Sequence, residues 1–234
     1  MPRIVLHQLE ISPFCDKVRR VLAFKGLDFE IHDVPMANIA SLRKMAPPGK
    51  VPILEVDGRI LHDSSDICRA LDELVPDPPL FPIDPAACAL VDILEDWADE
   101  SLYFFEMTMR FTWPYDRARW VTKILEHDNP VMRRLARPLV PYLTRKQGMA
   151  QGLARRGEAD ILRELQRHLE ALDRLLDAGQ FLVGPALSLA DIAVYCQLAC
   201  VAGSGKGAAA ISSTSRINAW MSRVEERTGG SASR

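Results

Sequence analysis

A chain of 234 residues is long enough for one large domain or two small ones, each with its own core. Its 48% apolar and 26% charged residues are ordinary for a globular protein, and a formal charge of −2 gives bulk electrostatics no reason to expect nucleic acid or membrane. No run reaches the ~18 apolar residues of a membrane span, and the N-terminus enters strand pattern without the basic and apolar regions of a signal peptide, so a cytoplasmic location is expected.

Residues 4–9 read as a strand. The run EISPFCDKVRR (10–20) follows, with Ser12 suited to an N-cap, Pro13 to the first helical position, and Val18, Val21 and Leu22 at helical spacing. The loop thus places Ser12 at a positive helix terminus, where a developing anion would be stabilised. LDFEIHDV (27–34) reads as a second strand, and a short helical piece follows near 38–45. VPILEV, DG and RIL then form the strongest hairpin signal in the chain, since Asp57-Gly58 fits a two-residue type I′ turn. DSSDICRALDEL (63–74) opens on capping residues and runs as a helix on Ile67, Leu71 and Leu74.

Five prolines in the ten residues 76–85 predict a semi-rigid linker and a domain boundary. Everything beyond has helical periodicity. Residues 87–113 read as one long helix. Residues 158–179 carry Ile161, Leu165, Leu169, Leu172 and Leu176 on one stripe, with Gly179 placed to end it. SLADIAVYCQLACVA begins with a capping box, Ser188 to Asp191, and is then apolar on every face, as a central bundle helix would be. AGSGKGAA (202–209) lacks the first Gly and the Ser/Thr of a phosphate loop and reads as a flexible connection. The tail GGSASR is expected to be disordered. Residues 133–156 hold seven Lys or Arg and no acidic residue, most simply a solvated basic face, with an anion-attracting rim over a cleft as the alternative. Pro138 and Pro141, with Gly148, Gly152 and Gly157, predict irregular structure over 114–157.

The five cysteines (Cys15, Cys68, Cys88, Cys196, Cys200) are scattered, odd in number and without C-x-x-C spacing, so neither a disulfide framework nor a metal site is expected. Cys196 and Cys200 share a helical face and read as small buried hydrophobes.

S-P-F-C after the first strand, K-V-P-I-L before the hairpin, D-S-S-x-I at the third helix, the proline-rich linker and FLVG…SLADIAVY resemble the glutathione transferase superfamily in its cytosolic, serine-type form. The resemblance covers nearly the whole chain. It implies an α/β thioredoxin-like domain (1–75), a linker (76–86) and an all-α bundle (87–234) that contributes an electrophile pocket. It also implies glutathione as co-substrate, a small apolar electrophile, a role in detoxification and a homodimer, with no metal. Ser12 falls where the family keeps the residue that holds the glutathione sulfur as thiolate. Lys50, Val51 and Pro52 fall on its glutathione-binding loop, where the family uses a cis proline. Asp63 and Ser64 fall on the pair that holds the γ-glutamyl end. Phe14, Phe105, Met109 and Trp113 are the candidates to line the electrophile pocket, drawn from an aromatic run that also includes Tyr103, Phe104 and Phe111. Taken singly, Ser12 and Ser64 need be no more than N-caps and Pro52 no more than an edge-strand proline.

Ser12 and Cys15 occupy the first and fourth positions of a C-x-x-C-like turn. A serine forms no mixed disulfide, so dithiol exchange is disfavoured. A hydroxyl donating to a thiolate contributes roughly 1.5–3 kcal/mol, and one unit of thiol pKa needs only about 1.4 kcal/mol, so Ser12 alone suffices to ionise much of a bound thiol. Cys15, in the first helical turn, is a possible secondary thiol. The expected function is thiol activation for attack on a hydrophobic electrophile. The alternatives are a glutathione-dependent reductase or isomerase working through Cys15, and a non-catalytic transferase-like binding protein.

Overall fold

Alternation of Ile4 and Leu6 toward one side of the first strand sets the architecture of the N-terminal half, because both are essentially fully buried against helices. The computed structural model describes residues 2–229. Strand β1 (Ile4–Gln8) leads into helix α1 (Pro13–Phe24), then strand β2 (Glu30–Asp33) and a 3₁₀ segment, Met36–Lys44. Strands β3 (Ile53–Val56) and β4 (Arg59–His62) form the hairpin, and helix α2 (Ser64–Leu74) closes the unit. The sheet order is β2-β1-β3-β4, with β1 parallel to β2, and β3 antiparallel to both β1 and β4. Leu6 and Leu54, paired across the ladder, pack with Val18, Val21, Leu22, Ile67 and Leu71 of α1 and α2. Ile53 faces the other side, against Val34, Leu42 and Ala46 around the 3₁₀ segment. At the hairpin tip Asp57 and Gly58 have φ of +50° and +85°, the pair of positive values that a type I′ turn requires.

The proline-rich stretch is anchored. Leu80 is fully buried, the Leu80 N–H donates to Asp72 Oδ1 at 2.9 Å, and its carbonyl accepts from the Leu189 N–H at 3.0 Å. Lys25, its side chain buried, donates to Asp72 Oδ1 and to the Pro78 carbonyl, each at 2.5 Å. The second half is all helical. The single long helix expected over 87–113 is instead α3 (Pro85–Trp97), a π-helical stretch Ala98–Leu102, and α4 (Tyr103–Phe111).

The segment 114–157, expected to be irregular, is also helical: α5 (Arg117–Ile124), α6 (Pro130–Ala136), α7 (Leu139–Gln151) and a 3₁₀ turn, Leu153–Arg155. The prolines start these helices. Pro130 holds the first position of α6 behind the cap Asn129, whose Oδ1 accepts from the Met132 N–H at 3.0 Å, while Pro138 and Pro141 fall at the cap and first turn of α7. There the missing N–H groups cost nothing. Gly152, at φ +118°, ends α7 in a conformation that strains any larger residue.

Helix α8 (Glu158–Leu175) turns Ile161, Leu165, Leu169 and Leu172 inward. Helix α9 (Leu189–Ala202) is buried on nearly every face. Its Asp191 completes the capping box with Ser188 and also accepts from the Leu182 N–H and the Trp220 Nε1–H, each at 2.8 Å. The sequence 202–209, expected to be a flexible connection, instead begins α10 (Gly205–Ser212) behind the cap Ser204. Gly207 is demanded by packing, since a Cβ there would lie 2.1 Å from the Val201 carbonyl oxygen. Helix α11 (Ser215–Thr228) ends the described chain, and most of the tail GGSASR lies outside the described residues.

Candidate active site

Ser12 sits at the N-cap of α1 with extended backbone (φ −76°, ψ 126°), and its side chain makes no capping hydrogen bond. Asp116 and Thr214 likewise cap nothing at the starts of α5 and α11, but four other cap residues do bond. The side chains of Asp63, Asp84, Asn129 and Ser204 each accept from a backbone N–H of the helix they begin. The Ser12 hydroxyl is thus not used as a cap and interacts with the Cys15 thiol, beside a helix terminus whose first N–H groups have no intrahelical partner.

Two adjoining hollows lie near this helix terminus. One, of about 450 Å³, is lined by Lys50, Val51, Pro52, His62, Asp63 and Ser64 together with Asp99 and Glu100. The other, of about 390 Å³, is lined by Ser12, Tyr103, Phe104, Glu106, Arg110 and Phe111, among others. Phe14, Lys50, Val51, Asp99 and Glu100 line both. A larger open depression, about 840 Å³, follows β2 and contains neither Ser12 nor a helix N-terminus, so size alone is no guide here.

In the first hollow the Val51–Pro52 peptide is cis. Asp63, at φ +70°, caps α2 through one oxygen: its Oδ1 accepts from the Ser65 N–H at 2.9 Å and the Asp66 N–H at 3.4 Å. Among the described residues its Oδ2 accepts nothing, so a carboxylate oxygen faces an exposed rim while Ser64 lies buried beside it at the first position of α2. The second hollow is walled by the 3₁₀ segment and by α4. Its ring pair Phe14–Tyr103 has centroids 5.0 Å apart. Burial and the neighbouring Glu106 push the Tyr103 phenol up, keeping it a neutral donor at any ordinary pH. Glu106 and Arg110 form a buried pair at 2.8 Å, and Arg110 Nη2 also donates to the Ile11 carbonyl at 3.2 Å, tying α4 to the loop that carries Ser12.

Beneath both hollows Lys17, 1% exposed, donates to Glu95 Oε1 at 2.5 Å and Asp99 Oδ2 at 2.6 Å. Burial and the adjacent Glu95 raise the Asp99 carboxyl to about 6 against the pull of Lys17. Cys15 is fully buried, and burial pushes its thiol up to about 11, only partly offset by hydrogen bonding with the Leu9 backbone and with Ser12. It is a packing residue at neutral pH, far from the exposed, low-pKa state that thiol chemistry requires.

Models of the glutathione S-transferase N-terminal domain and of the glutathione S-transferase C-terminal domain match residues 6–79 and 117–223. The chain belongs to the glutathione S-transferase family. It is 32% identical over 105 residues to the hematopoietic prostaglandin D synthase of Gallus gallus, covering 45% of this chain and 51% of that one. It is 30% identical over 126 residues to glutathione S-transferase L3 of Arabidopsis thaliana, covering 52% of each. The chain spans about half the length of these curated relatives, and less of others. A glutathione S-transferase structure from Rhodospirillum rubrum F11 superposes with a TM-score of 0.68 over 95% of this chain and 87% of that one, at 23% identity, which speaks to the fold alone.

As a transferase-family chain it has the thioredoxin-like sheet unit followed by the helical domain. Ser12, Phe14, Lys50, Val51, Pro52, Asp63 and Ser64 are brought together around the two hollows. Phe105, Met109 and Trp113 are not. They recur at i, i+4 and i+8, Trp113 just past the end of α4, and all three are sunk in the core, where Phe105 meets the His168 ring edge-on at 5.5 Å. The pocket takes the opposite face of α4, through Tyr103, Glu106 and Arg110, with Phe104 and Phe111 at its border. Spacing groups residues on a face without saying which neighbour the face meets. Asp99 and Glu100 were missed because they lie in the π-helical stretch, which no periodicity announces, although π-helical turns often mark functional sites. Met36, Ile39 and Gln147 reach the second hollow from the 3₁₀ segment and α7 and left no signal in the sequence.

Proposed function

We propose that this chain is a glutathione transferase that activates the thiol of glutathione for attack on a hydrophobic electrophile, with Ser12 as the residue that stabilises the thiolate. One observation carries the reading: Ser12 stands at a helix N-terminus, caps nothing with its side chain, and lines the second hollow beside the first. A hydroxyl donor and the terminal N–H groups both favour an anion over a neutral thiol.

In this reading glutathione lies in the first hollow. The backbone of Val51 pairs with its cysteinyl amide, Asp63 Oδ2 takes its ammonium, and the N-terminus of α2 at Ser64 takes its γ-glutamyl carboxylate. Lys50 borders the same groove. The electrophile enters the second hollow against Phe14, Tyr103, Phe104 and Phe111. Attack forms the carbon–sulfur bond while the leaving group departs or, in addition, while the substrate carbon is protonated by solvent. We place the enzyme in detoxification, as a homodimer.

The reductase or isomerase alternative loses its thiol, since Cys15 is buried and its thiol is driven up. The test is retention on immobilised glutathione with turnover of an activated aryl chloride. Retention with turnover supports the reading; retention without turnover leaves a binding protein, and neither removes the assignment.

A further inference from the structure

We propose that the outer face of α6 and α7 binds the surface of an anionic lipid bilayer. Helix α7 is apolar on two sides. Its inner side buries Val140 and Gly148, with Gly148 set close against Thr108 and Met107 of α4. Its outer side should then be polar. Instead it presents Leu139 (49% exposed), Tyr142 (62%), Leu143 (48%) and Met149 (38%), and α6 adds Val131 (67%) and Leu135 (64%) at i, i+4. Single exposed apolar residues need no explanation, but six on one helix pair do.

The cations around them supply the second observation. Arg133, Arg134, Arg137, Arg145 and Lys146 are exposed, and among the described residues none is in an ion pair. On neighbouring helices some exposed cations are matched, as Arg163 is with Asp160, Arg167 with Glu164 and Lys123 with Glu126, while others, Arg117 and Arg174 among them, are not. Between residues 129 and 157 there is no carboxylate to match them. Arg156, by contrast, is paired with Glu164, and those five unpaired charges, set against a chain total of −2, leave −7 for the rest of the molecule. A chain so polarised turns one face toward a negative plane and the remainder away from it.

The face offers hydrocarbon and cations, with almost no directional acceptor. That composition suits a fluid anionic surface better than the fixed hydrogen-bonding partners of a protein, and it is the pattern of helices that lie in the membrane interface.

The experiment is co-sedimentation of the full chain with vesicles of phosphatidylcholine plus phosphatidylserine, against vesicles of phosphatidylcholine alone. The wild-type chain is expected to sediment with the anionic vesicles, to be released by high salt, and to ignore the neutral ones. R134Q/R137Q/K146Q should weaken partitioning about a hundredfold, at roughly fivefold per charge. L135S/L139S/Y142S should abolish it, and neither variant should change conjugation of a water-soluble substrate. Failure of the wild-type chain to bind anionic vesicles overturns the proposal, as does equal binding to neutral ones. It is also overturned if both variants bind like wild type, if a soluble acidic polypeptide binds where vesicles do not, or if L135S/L139S/Y142S converts a dimer to a monomer in sedimentation velocity.

Discussion

The ammonium of Lys17 on α1 lies 2.6 Å from Asp99 Oδ2 in the π-helical stretch, joining the sheet unit to the helical domain directly beneath the cleft. Glu95 shares the same ammonium at 2.5 Å, so two carboxylates compete for one cation in a site from which water is nearly excluded. One of them must be easier to protonate than usual.

That carboxylate is Asp99, raised to about 6 from its ordinary 3.8. With a folded value above the unfolded one, the native state takes up a proton between these limits. The contribution of Asp99 to stability is therefore fully present below pH 4 and is lost as pH rises through 6. Asp99→Asn removes the titration. Measured by urea unfolding, wild type should lose up to about 3 kcal/mol relative to Asp99→Asn between pH 4 and pH 7. A difference between the two proteins that is flat across this window contradicts the assignment.

Asp128 makes a second cross-link. Its two oxygens accept from the backbone N–H groups of Met36 at 3.0 Å and Ala37 at 2.9 Å, clasping the 3₁₀ segment that roofs the second hollow. Asp128→Ala leaves both donors without a partner and should cost about 2–4 kcal/mol, read from the urea midpoint. Because Met36 lines only the second hollow, where the proposed function puts the electrophile, KM for the electrophile should rise severalfold while KM for glutathione stays within twofold, on the order of a few tenths of a kcal/mol. Equal changes in both would mean that the clasp supports the whole cleft.

In the proposed function Asp63 would have two tasks, the cap and the glutathione ammonium, which one substitution separates. Asn keeps an oxygen for the cap and tolerates φ of +70°, so Asp63→Asn should change stability by less than about 0.5 kcal/mol. It loses the charge offered to the glutathione ammonium, and affinity measured by calorimetry should fall about tenfold, the scale of one charge-assisted bond. Unchanged affinity would place the ammonium elsewhere, with Asp96, Asp99 and Glu100 the remaining carboxylates on that hollow besides Glu95.

The order and type of elements in the sheet unit were legible because strand alternation, the Asp57-Gly58 turn and the α2 cap are local signals, each read within a few residues. So was the α9 capping box. The helical domain was less legible for two physical reasons. Pro138 and Pro141 read as breakers from composition, yet a proline in the first turn is harmless, and only the true start of α7 tells the two cases apart. Gly203, Gly205 and Gly207 read as flexibility, yet Gly207 is small because α10 is pressed against the Val201 carbonyl. At the cleft, the residues of the N-terminal motifs line the hollows, whereas the lining contributed by packing, from Met36 to Arg110, depends on which helix faces meet.

The most direct test of the account is the pH–rate profile of Ser12→Ala beside wild type and Cys15→Ala. If Ser12 holds the thiolate, its loss should raise the pKa of bound glutathione by about one to two units and cut conjugation at pH 7 roughly ten- to a hundredfold, recovering at higher pH. Glutathione affinity should barely change, and Cys15→Ala should keep both the rate and the profile. A Ser12→Ala protein with full activity and an unmoved thiol pKa contradicts the central claim, and a dead Cys15→Ala beside an active Ser12→Ala would move the chemistry one helical turn along α1.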